Sequence, residues 1–329
     1  MLDPFGREIN YMRISVTDRC NLRCVYCMPL EGVQLRPREE YLTFEEIERV
    51  VRAGLALGID RIRITGGEPT VRPGLVEFIA RIKEAGVRDI SLTTNGILFP
   101  KMAADLKRAG LNRVNISLDT LRSERFKAIA RLFDDPQVVL DAVEAALELE
   151  LHPVKLNMVV MRGWNDDEVV EMARMTIDRP IHLRYIEVMP FSEAYPFSEE
   201  VLVPAAEIRQ RLMAEFGDLE PLKEGVPGNG PARYWRIPGA KGTVGFISAM
   251  TECFCAGCNR IRLSADGKIN PCLGHIHEYD LKPVLRDPNA TEEDLIRAIE
   301  AAILRKPREH NFDDPNGEYT LRVMHGIGG

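Results

Sequence analysis

Seven cysteines fall into two tight groups, Cys20, Cys24 and Cys27 near the start of the chain and Cys253, Cys255, Cys258 and Cys272 near its end. Thiols clustered at such short spacings point to a metal or metal–sulfur centre rather than a disulfide framework. Cys20-x-x-x-Cys24-x-x-Cys27 brings three soft thiolates into one loop, one short of a closed tetrahedral site. A [4Fe–4S] cluster held by three cysteines keeps one iron open for an outside ligand. A zinc site would need a fourth donor, yet the first histidine is His152, and the spacing differs from the paired Cys-x-x-Cys knuckles of zinc modules. Cys255-x-x-Cys258-x13-Cys272 repeats the arithmetic, which suggests a second cluster with a second open iron; zinc completed by His275 or His277 is the competing reading. Cys253 alternates with Cys255 along a strand-like run, so it is expected to face the other way as a buried free thiol.

These ligands need a scaffold. With 329 residues, 45% of them hydrophobic, the chain has ample material for a core, which excludes disorder and fibrous repeats and suggests about two domains. No apolar run approaches the roughly 18 residues of a membrane helix, and the acidic first residues do not make a signal peptide, so a soluble cytoplasmic protein is expected. A net charge of −7 argues against non-specific nucleic-acid binding but says nothing of a local cationic pocket.

From residue 10 to about 190, β-rich runs alternate with helical patterns, the signature of β/α units around a parallel sheet. Strands are expected at 11–17, 61–65, 89–94, 113–119, 153–160 and 181–188. The clearest helix starts at the capping box Thr43-Phe44-Glu45-Glu46 and carries Ile47, Val50, Val51 and Leu55 on one face. Others are expected near 75–85, 100–109, 136–150, 166–177 and 291–304, with Gly86 and Gly110 as stops. Along the strands one face is apolar, while the other carries Arg13, Ser15, Arg61, Arg63, Thr65, Thr93, Asn115, Ser117, Lys155, Asn157, His182 and Arg184. A closed eight-stranded barrel fills its interior with Val, Ile and Leu. A cationic inner face instead describes a partial (β/α)6 TIM-like barrel around a wet cavity, and arginines gathered there imply a phosphate- or carboxylate-bearing ligand. An antiparallel sheet with one solvated face is the alternative. The turn-rich run 225–231 reads as a joint, giving a barrel over 1–224 and a C-terminal α+β extension over 225–329 that closes the open side. Within it, Arg260 and Arg262 share a face beside a cluster ligand, and a hairpin turns at Ala265-Asp266-Gly267-Lys268.

The segment Thr17-Asp18-Arg19-Cys20-Asn21-Leu22-Arg23-Cys24-Val25-Tyr26-Cys27-Met28-Pro29 resembles the cluster loop of the radical S-adenosylmethionine superfamily, and Gly66-Gly67-Glu68-Pro69 resembles its glycine-rich segment. With Cys258-Asn259-Arg260-Ile261-Arg262-Leu263-Ser264-Ala265-Asp266-Gly267-Lys268 and the terminal Gly328-Gly329, the likeness narrows to the GTP 3′,8-cyclase family of molybdenum cofactor biosynthesis and runs almost end to end. The resemblance implies two [4Fe–4S] clusters and S-adenosylmethionine as cofactors, GTP as substrate, and abstraction of the ribose 3′ hydrogen by a 5′-deoxyadenosyl radical. It places Tyr26, Gly66, Gly67, Ser117 and Met189 at S-adenosylmethionine. Arg13, Arg63, Thr93, Lys155, Arg260 and Arg262 are placed at GTP, with Arg184 as a further anion ligand. Arg13, Arg260, Arg262, Gly328 and Gly329 form the implied catalytic set, with the glycine tail entering the site. Gly66 and Gly67 suit a close backbone approach to the methionyl amino group. Tyr26 as simple loop packing, and the tail as a frayed terminus, are the plainer readings. Arg61 stands where many relatives carry Lys, which leaves its part in GTP binding open.

The family is often dimeric and passes its product to cyclic pyranopterin monophosphate synthase; an external electron donor is also implied. Two other functions compete: a radical enzyme with an auxiliary cluster that modifies peptides, and a non-catalytic zinc protein that binds nucleotides. Seven cysteines are few for the former, and an acidic chain with 7% aromatics is poorly suited to stacking bases.

Overall fold

The structure, a computed structural model, describes residues 1–34, 36–190, 200–310 and 312. Six parallel strands lie side by side in chain order: β1 (Tyr11–Ser15), β2 (Arg61–Thr65), β3 (Asp89–Thr94), β4 (Arg113–Ser117), β5 (Val154–Val160) and β6 (Ile181–Glu187). The strands match the expected spans to within two residues at each end. Around them run α1 (Phe44–Ala56), α2 (Leu75–Glu84), α3 (Phe99–Ala109), α4 (Ser123–Ala130), α5 (Gln137–Glu148) and α6 (Val169–Asp178). The capping box of α1 is formed: Thr43 Oγ1 accepts from Glu46 N–H, and Glu46 Oε2 accepts from Thr43 N–H. Ile47, Val50 and Val51 are buried and Leu55 is half-buried. Gly110 ends α3 at φ 110°, the left-handed conformation that favours glycine.

After the barrel come α7 (Ala205–Phe216), β7 (Glu220–Pro221), β8 (Arg233–Arg236), β9 (Thr243–Ile247), β10 (Arg260–Leu263), β11 (Lys268–Asn270), β12 (Tyr279–Asp280), α8 (Lys282–Arg286) and α9 (Glu292–Ile303). These strands join the barrel sheet at both edges. β9 pairs in parallel with β6, and β10 pairs in parallel with β1, setting Arg262 beside Arg13. The sheet thus has twelve strands in the order β12-β11-β10-β1-β2-β3-β4-β5-β6-β9-β8-β7. The expected hairpin forms between β10 and β11.

Helix α7 was not expected from the sequence, because its cap is not local. Its first N–H, at Ala205, donates to the buried carboxylate of Glu187 at 3.0 Å, and the same carboxylate accepts from the Met250 and Thr251 N–H groups. The apolar strand faces, among them Met12, Ile14, Ile62, Ile64, Ile90, Leu92, Val114 and Ile116, are buried against the helices. The opposite faces enclose a cavity. A five-residue strand rises about 3.3 Å per residue, so the strands' carboxyl and amino ends, called upper and lower below, lie roughly 13 Å apart.

Candidate active site

At the upper end, Cys20, Cys24 and Cys27 line the cavity in the loop that follows β1. The Gly66-Gly67-Glu68 segment clamps this loop: Gly67 N–H donates to Thr17 O at 2.7 Å and Glu68 N–H to Arg19 O at 2.8 Å. A side chain on Gly66 would collide with the Thr17 backbone, and one on Gly67 with the Arg19 carbonyl. The close approach that these glycines allow is therefore first of all that of the cysteine loop itself. The far side of the loop is held by the end of α4, where the Ala130 and Ile129 carbonyls accept from Arg23 and Val25 N–H.

Buried carboxylates surround this end. Glu68 accepts from Thr70, Thr94 Oγ1 at 2.8 Å and Asn95 N–H at 2.7 Å, and Asn95 Nδ2 donates to Asn21 Oδ1 and, at 3.9 Å, to Cys20 Sγ. Asp119 accepts from Tyr26 OH at 2.7 Å and Val159 N–H at 2.8 Å. Burial pushes Asp119 up to about 6, against those hydrogen bonds. Burial likewise raises Cys20 to about 11 and lifts Cys24, whose neighbours Asp119, Cys27 and Cys20 add to the effect. Three adjacent thiols whose thiolate forms are disfavoured by burial and by one another are a donor set that a cationic, thiophilic centre relieves, which fits an iron–sulfur cluster.

The second group lies at the lower end. Cys255 and Cys258 precede β10, which runs with β1, and Cys272 follows the antiparallel β11, so all three return to the strands' amino ends. Buried Arg7 ties the pieces together, donating to the carbonyls of Cys255 at 3.0 Å, Arg308 at 2.8 Å and Pro307 at 2.6 Å. Buried Lys306 donates to Arg260 O and Pro271 O. Burial acts to raise Cys258, but Arg260 and Lys306 outweigh it and draw the thiol down to about 6. Burial and the neighbouring Cys253 hold Cys255 at about 12. The three thiols face the cavity, and the buried cations beside them offset the negative charge of a thiolate-held cluster.

Cys253 departs from expectation. It is exposed, and its Sγ accepts from Cys255 N–H at 3.4 Å rather than turning away, because residues Cys255–Gly257 form a 3-10 turn in which strand alternation does not apply. Among the described residues, Cys253, Cys255 and His310 form the one set close enough for a single ion, with ligand atoms within 4.8 Å of one another. That set omits Cys258 and Cys272, and neither His275 nor His277 joins it, so the zinc arrangement weighed from spacing is not the one formed.

Between the ends lies a cavity of about 310 Å³, walled by Tyr11, Arg13, Arg63, Thr93, Ser117, Asn157, Arg184, Arg260 and Arg262. Arg63, Arg184 and Arg262 are buried, and desolvation brings Arg184 and Arg262 down to about 10. Arg63 Nη2, Arg184 Nε, Tyr11 OH and Asn157 Oδ1 are buried without a hydrogen-bond partner, a pattern that calls for a polar, anionic ligand. Tyr26, Gly66, Gly67 and Met189 also line the cavity toward the upper end.

Lys155, an expected anion ligand, and Arg61, whose part the sequence leaves open, sit lower. The Lys155 side chain is not on the cavity wall; its Nζ donates to Pro227 O at 2.6 Å, against the 226–231 segment. Arg61 donates to Asn229 Oδ1 at 2.9 Å. The run read as a joint therefore belongs to the site, with Asn229, Gly230 and Pro231 on the cavity wall. Gly328 and Gly329 lie outside the described residues. Asp119, Glu68, Asn95, Lys306 and Asn229 were not picked out as site residues from the sequence. Asp119 had a signal, since alternation from Asn115 and Ser117 puts it on the same inner face.

A partial parallel barrel with three thiols above β1, clamped by a Gly-Gly-Glu segment and opening on an arginine-lined cavity, has the build of a radical S-adenosylmethionine enzyme. Residues 14–176 match the Radical SAM superfamily, and residues 181–312 match the family described as Molybdenum Cofactor Synthesis C. Relatives named GTP 3′,8-cyclase from Desulforamulus reducens and Heliobacterium modesticaldum are 51% and 50% identical over 332 residues, each alignment covering all of both chains. The one from Geobacter sulfurreducens is 47% identical, covering all of this chain and 99% of its own. The chain belongs to the GTP 3′,8-cyclase family of radical S-adenosylmethionine enzymes and has a role in molybdenum cofactor synthesis.

The fold is shared with solved structures. Streptococcus suis SuiB bound to S-adenosylmethionine superposes with a TM-score of 0.59 at 16% identity, over 94% of this chain and 66% of that one. For native anSMEcpe with bound AdoMet the score is 0.57 at 16% identity, over 92% and 82%. The family's cofactors are S-adenosylmethionine and two iron–sulfur clusters, and the two thiol triads are the residues that would hold the clusters. No helix among the described residues is long and apolar enough to cross a membrane.

Proposed function

We propose that the chain converts GTP to 3′,8-cyclo-7,8-dihydro-GTP, the first step of molybdenum cofactor biosynthesis. The supporting observation is the pair of three-thiol sites at opposite ends of one arginine-lined cavity. When bound, S-adenosylmethionine and the upper cluster supply a 5′-deoxyadenosyl radical able to take the ribose 3′ hydrogen. The chain's own work is placement. Tyr26, Gly66, Gly67, Ser117 and Met189, on the upper wall, would hold S-adenosylmethionine; Cys255, Cys258 and Cys272, at the lower end, would hold a cluster able to orient the guanine. Arg13, Arg63, Thr93, Arg184, Arg260, Arg262 and Lys155 take the triphosphate and purine, where guanidinium groups already desolvated gain most from bidentate phosphate contacts. Fixing the base at one end and the phosphates along the wall leaves one sugar hydrogen facing the upper end, and carbon 8 of the guanine within reach of the resulting sugar radical.

In this reading residues 1–224 carry the radical chemistry and 225–329 orient the substrate, with Gly328 and Gly329 entering beside an arginine. Electrons come from an external donor, and the product passes to cyclic pyranopterin monophosphate synthase. Anaerobic incubation with GTP, S-adenosylmethionine and dithionite, followed by mass analysis of the nucleotide, tests the proposal. An isomer of GTP, equal to it in mass and told apart by its chromatographic retention and fragmentation, is expected, together with about eight irons per chain from two four-iron clusters. Unchanged GTP alongside cleaved S-adenosylmethionine would contradict it.

A further inference from the structure

The lower end of the cavity has two halves. The second thiol triad occupies the side of β1 and β10; the 226–231 segment runs beneath the other strands. Asn229 latches this segment to the barrel. Its Oδ1 accepts from Arg61 and its Nδ2 donates to Asp89 Oδ2 at 3.0 Å, while Asp89 is ion-paired with Arg113. Arg61, Asp89 and Arg113 are the first residues of β2, β3 and β4, so the latch spans three strand ends.

Pro227 O accepts from Lys155 on β5, and a Cβ on Gly228, whose φ is +140°, would lie 2.6 Å from that ammonium. The segment therefore rests on Lys155 with no space between. Lys155 is 2% exposed, faces Arg63, Arg113 and Arg184, and lies 5.7 Å from the Tyr234 ring centre. Burial and those guanidinium groups push it down to about 6, against the attraction of Asp89. A peptide carbonyl carries only partial charge, so it does little to keep a buried lysine protonated, whereas a phosphate oxygen favours the ammonium form. Gly225, Gly228 and Gly230 give the backbone the freedom to yield.

The geometry points to the 226–231 segment as the end stop for the phosphate chain of the nucleotide. It sets how many phosphates the cavity accepts: Lys155 passes from the Pro227 carbonyl to the terminal phosphate, and Asn229 is the positioning residue that holds the stop in register. The inference rests on the proposed use of GTP and adds a preference for a nucleoside triphosphate over the diphosphate.

The test uses the full-length enzyme with both clusters, iron content verified for each variant, and compares kcat/KM for GTP and GDP. The native chain should prefer GTP by about tenfold, as one charge-assisted contact predicts, and Asn229→Ala should cut that ratio about fivefold with the change in KM. Asn229→Gln, which keeps both donor and acceptor, should restore part of it. Equal losses for GTP and GDP would reduce Asn229 to a structural role and overturn the inference, as would an unchanged ratio. If the native chain cyclises neither nucleotide, the proposed function falls, and calorimetric affinities for GTP and GDP decide the end stop by the same ratio.

Discussion

The two ends of the cavity share one ligand arithmetic and differ in what surrounds it. The upper triad sits within eight consecutive residues, beside the buried carboxylates Glu68 and Asp119. The lower triad is gathered from two separate stretches beside the buried cations Arg7 and Lys306 and the half-buried Arg260. The thiols register the contrast: burial lifts Cys20 to about 11, whereas Arg260 and Lys306 draw Cys258 down to about 6 despite burial. An acceptor-rich end suits a cationic ligand, such as the sulfonium and ammonium of S-adenosylmethionine, and a donor-rich end suits the anionic nucleotide. Under the proposed function, one device of three thiolates and an open iron would be turned to two ligands of opposite charge by the residues around it.

The sharpest break in this symmetry comes from the upper end. Cys24→Ser should remove both S-adenosylmethionine cleavage and nucleotide cyclisation by about a thousandfold or more, because every later step depends on the radical formed there. Chromatographic quantification of 5′-deoxyadenosine and of the cyclised nucleotide checks it; cyclisation surviving the loss of cleavage would dissolve the contrast. Gly67→Ala should come next. Its Cβ would strike the Arg19 carbonyl, a backbone group that cannot move freely, so a destabilisation of about 1–3 kcal/mol and selective loss of upper-cluster iron are expected, read by thermal unfolding and metal analysis.

At the donor-rich end, Arg184→Ala should weaken GTP binding by about 1.5–3 kcal/mol, the range for a charged hydrogen bond, with S-adenosylmethionine affinity unchanged in calorimetry. The smallest effect concerns a proton. Lys155 titrates near 6 while it faces only the Pro227 carbonyl and neighbouring guanidinium groups, and a bound phosphate raises its pKa. Above pH 6 the free site is mostly neutral and the occupied site charged, so GTP binding takes up a proton and affinity falls as pH rises from 6 toward the occupied site's pKa. Calorimetry near pH 8 in buffers of different ionisation heat should show this uptake, and Lys155→Met should abolish it.

Local signals carried the barrel. Period-two alternation separated apolar from cationic strand faces, and the Thr43–Glu46 capping box set the start of α1, because both depend on residues a few positions apart. Long-range partners left no such trace. The cap of α7 is Glu187, eighteen residues before Ala205, and Arg7 meets Cys255 from the other end of the chain. The 226–231 run announced a turn, but turn residues report how the backbone bends and not what it bends against, so Asn229 stayed hidden. Cys253 turns toward Cys255, against strand alternation, because a 3-10 turn begins at Cys255.

The division of labour between the two ends is tested most directly by Cys255→Ser, assayed for 5′-deoxyadenosine and for cyclised nucleotide in the same anaerobic reaction. Cleavage of S-adenosylmethionine is expected to persist while GTP cyclisation is lost. Loss of both, with the upper cluster still present by iron analysis and spectroscopy, would contradict it.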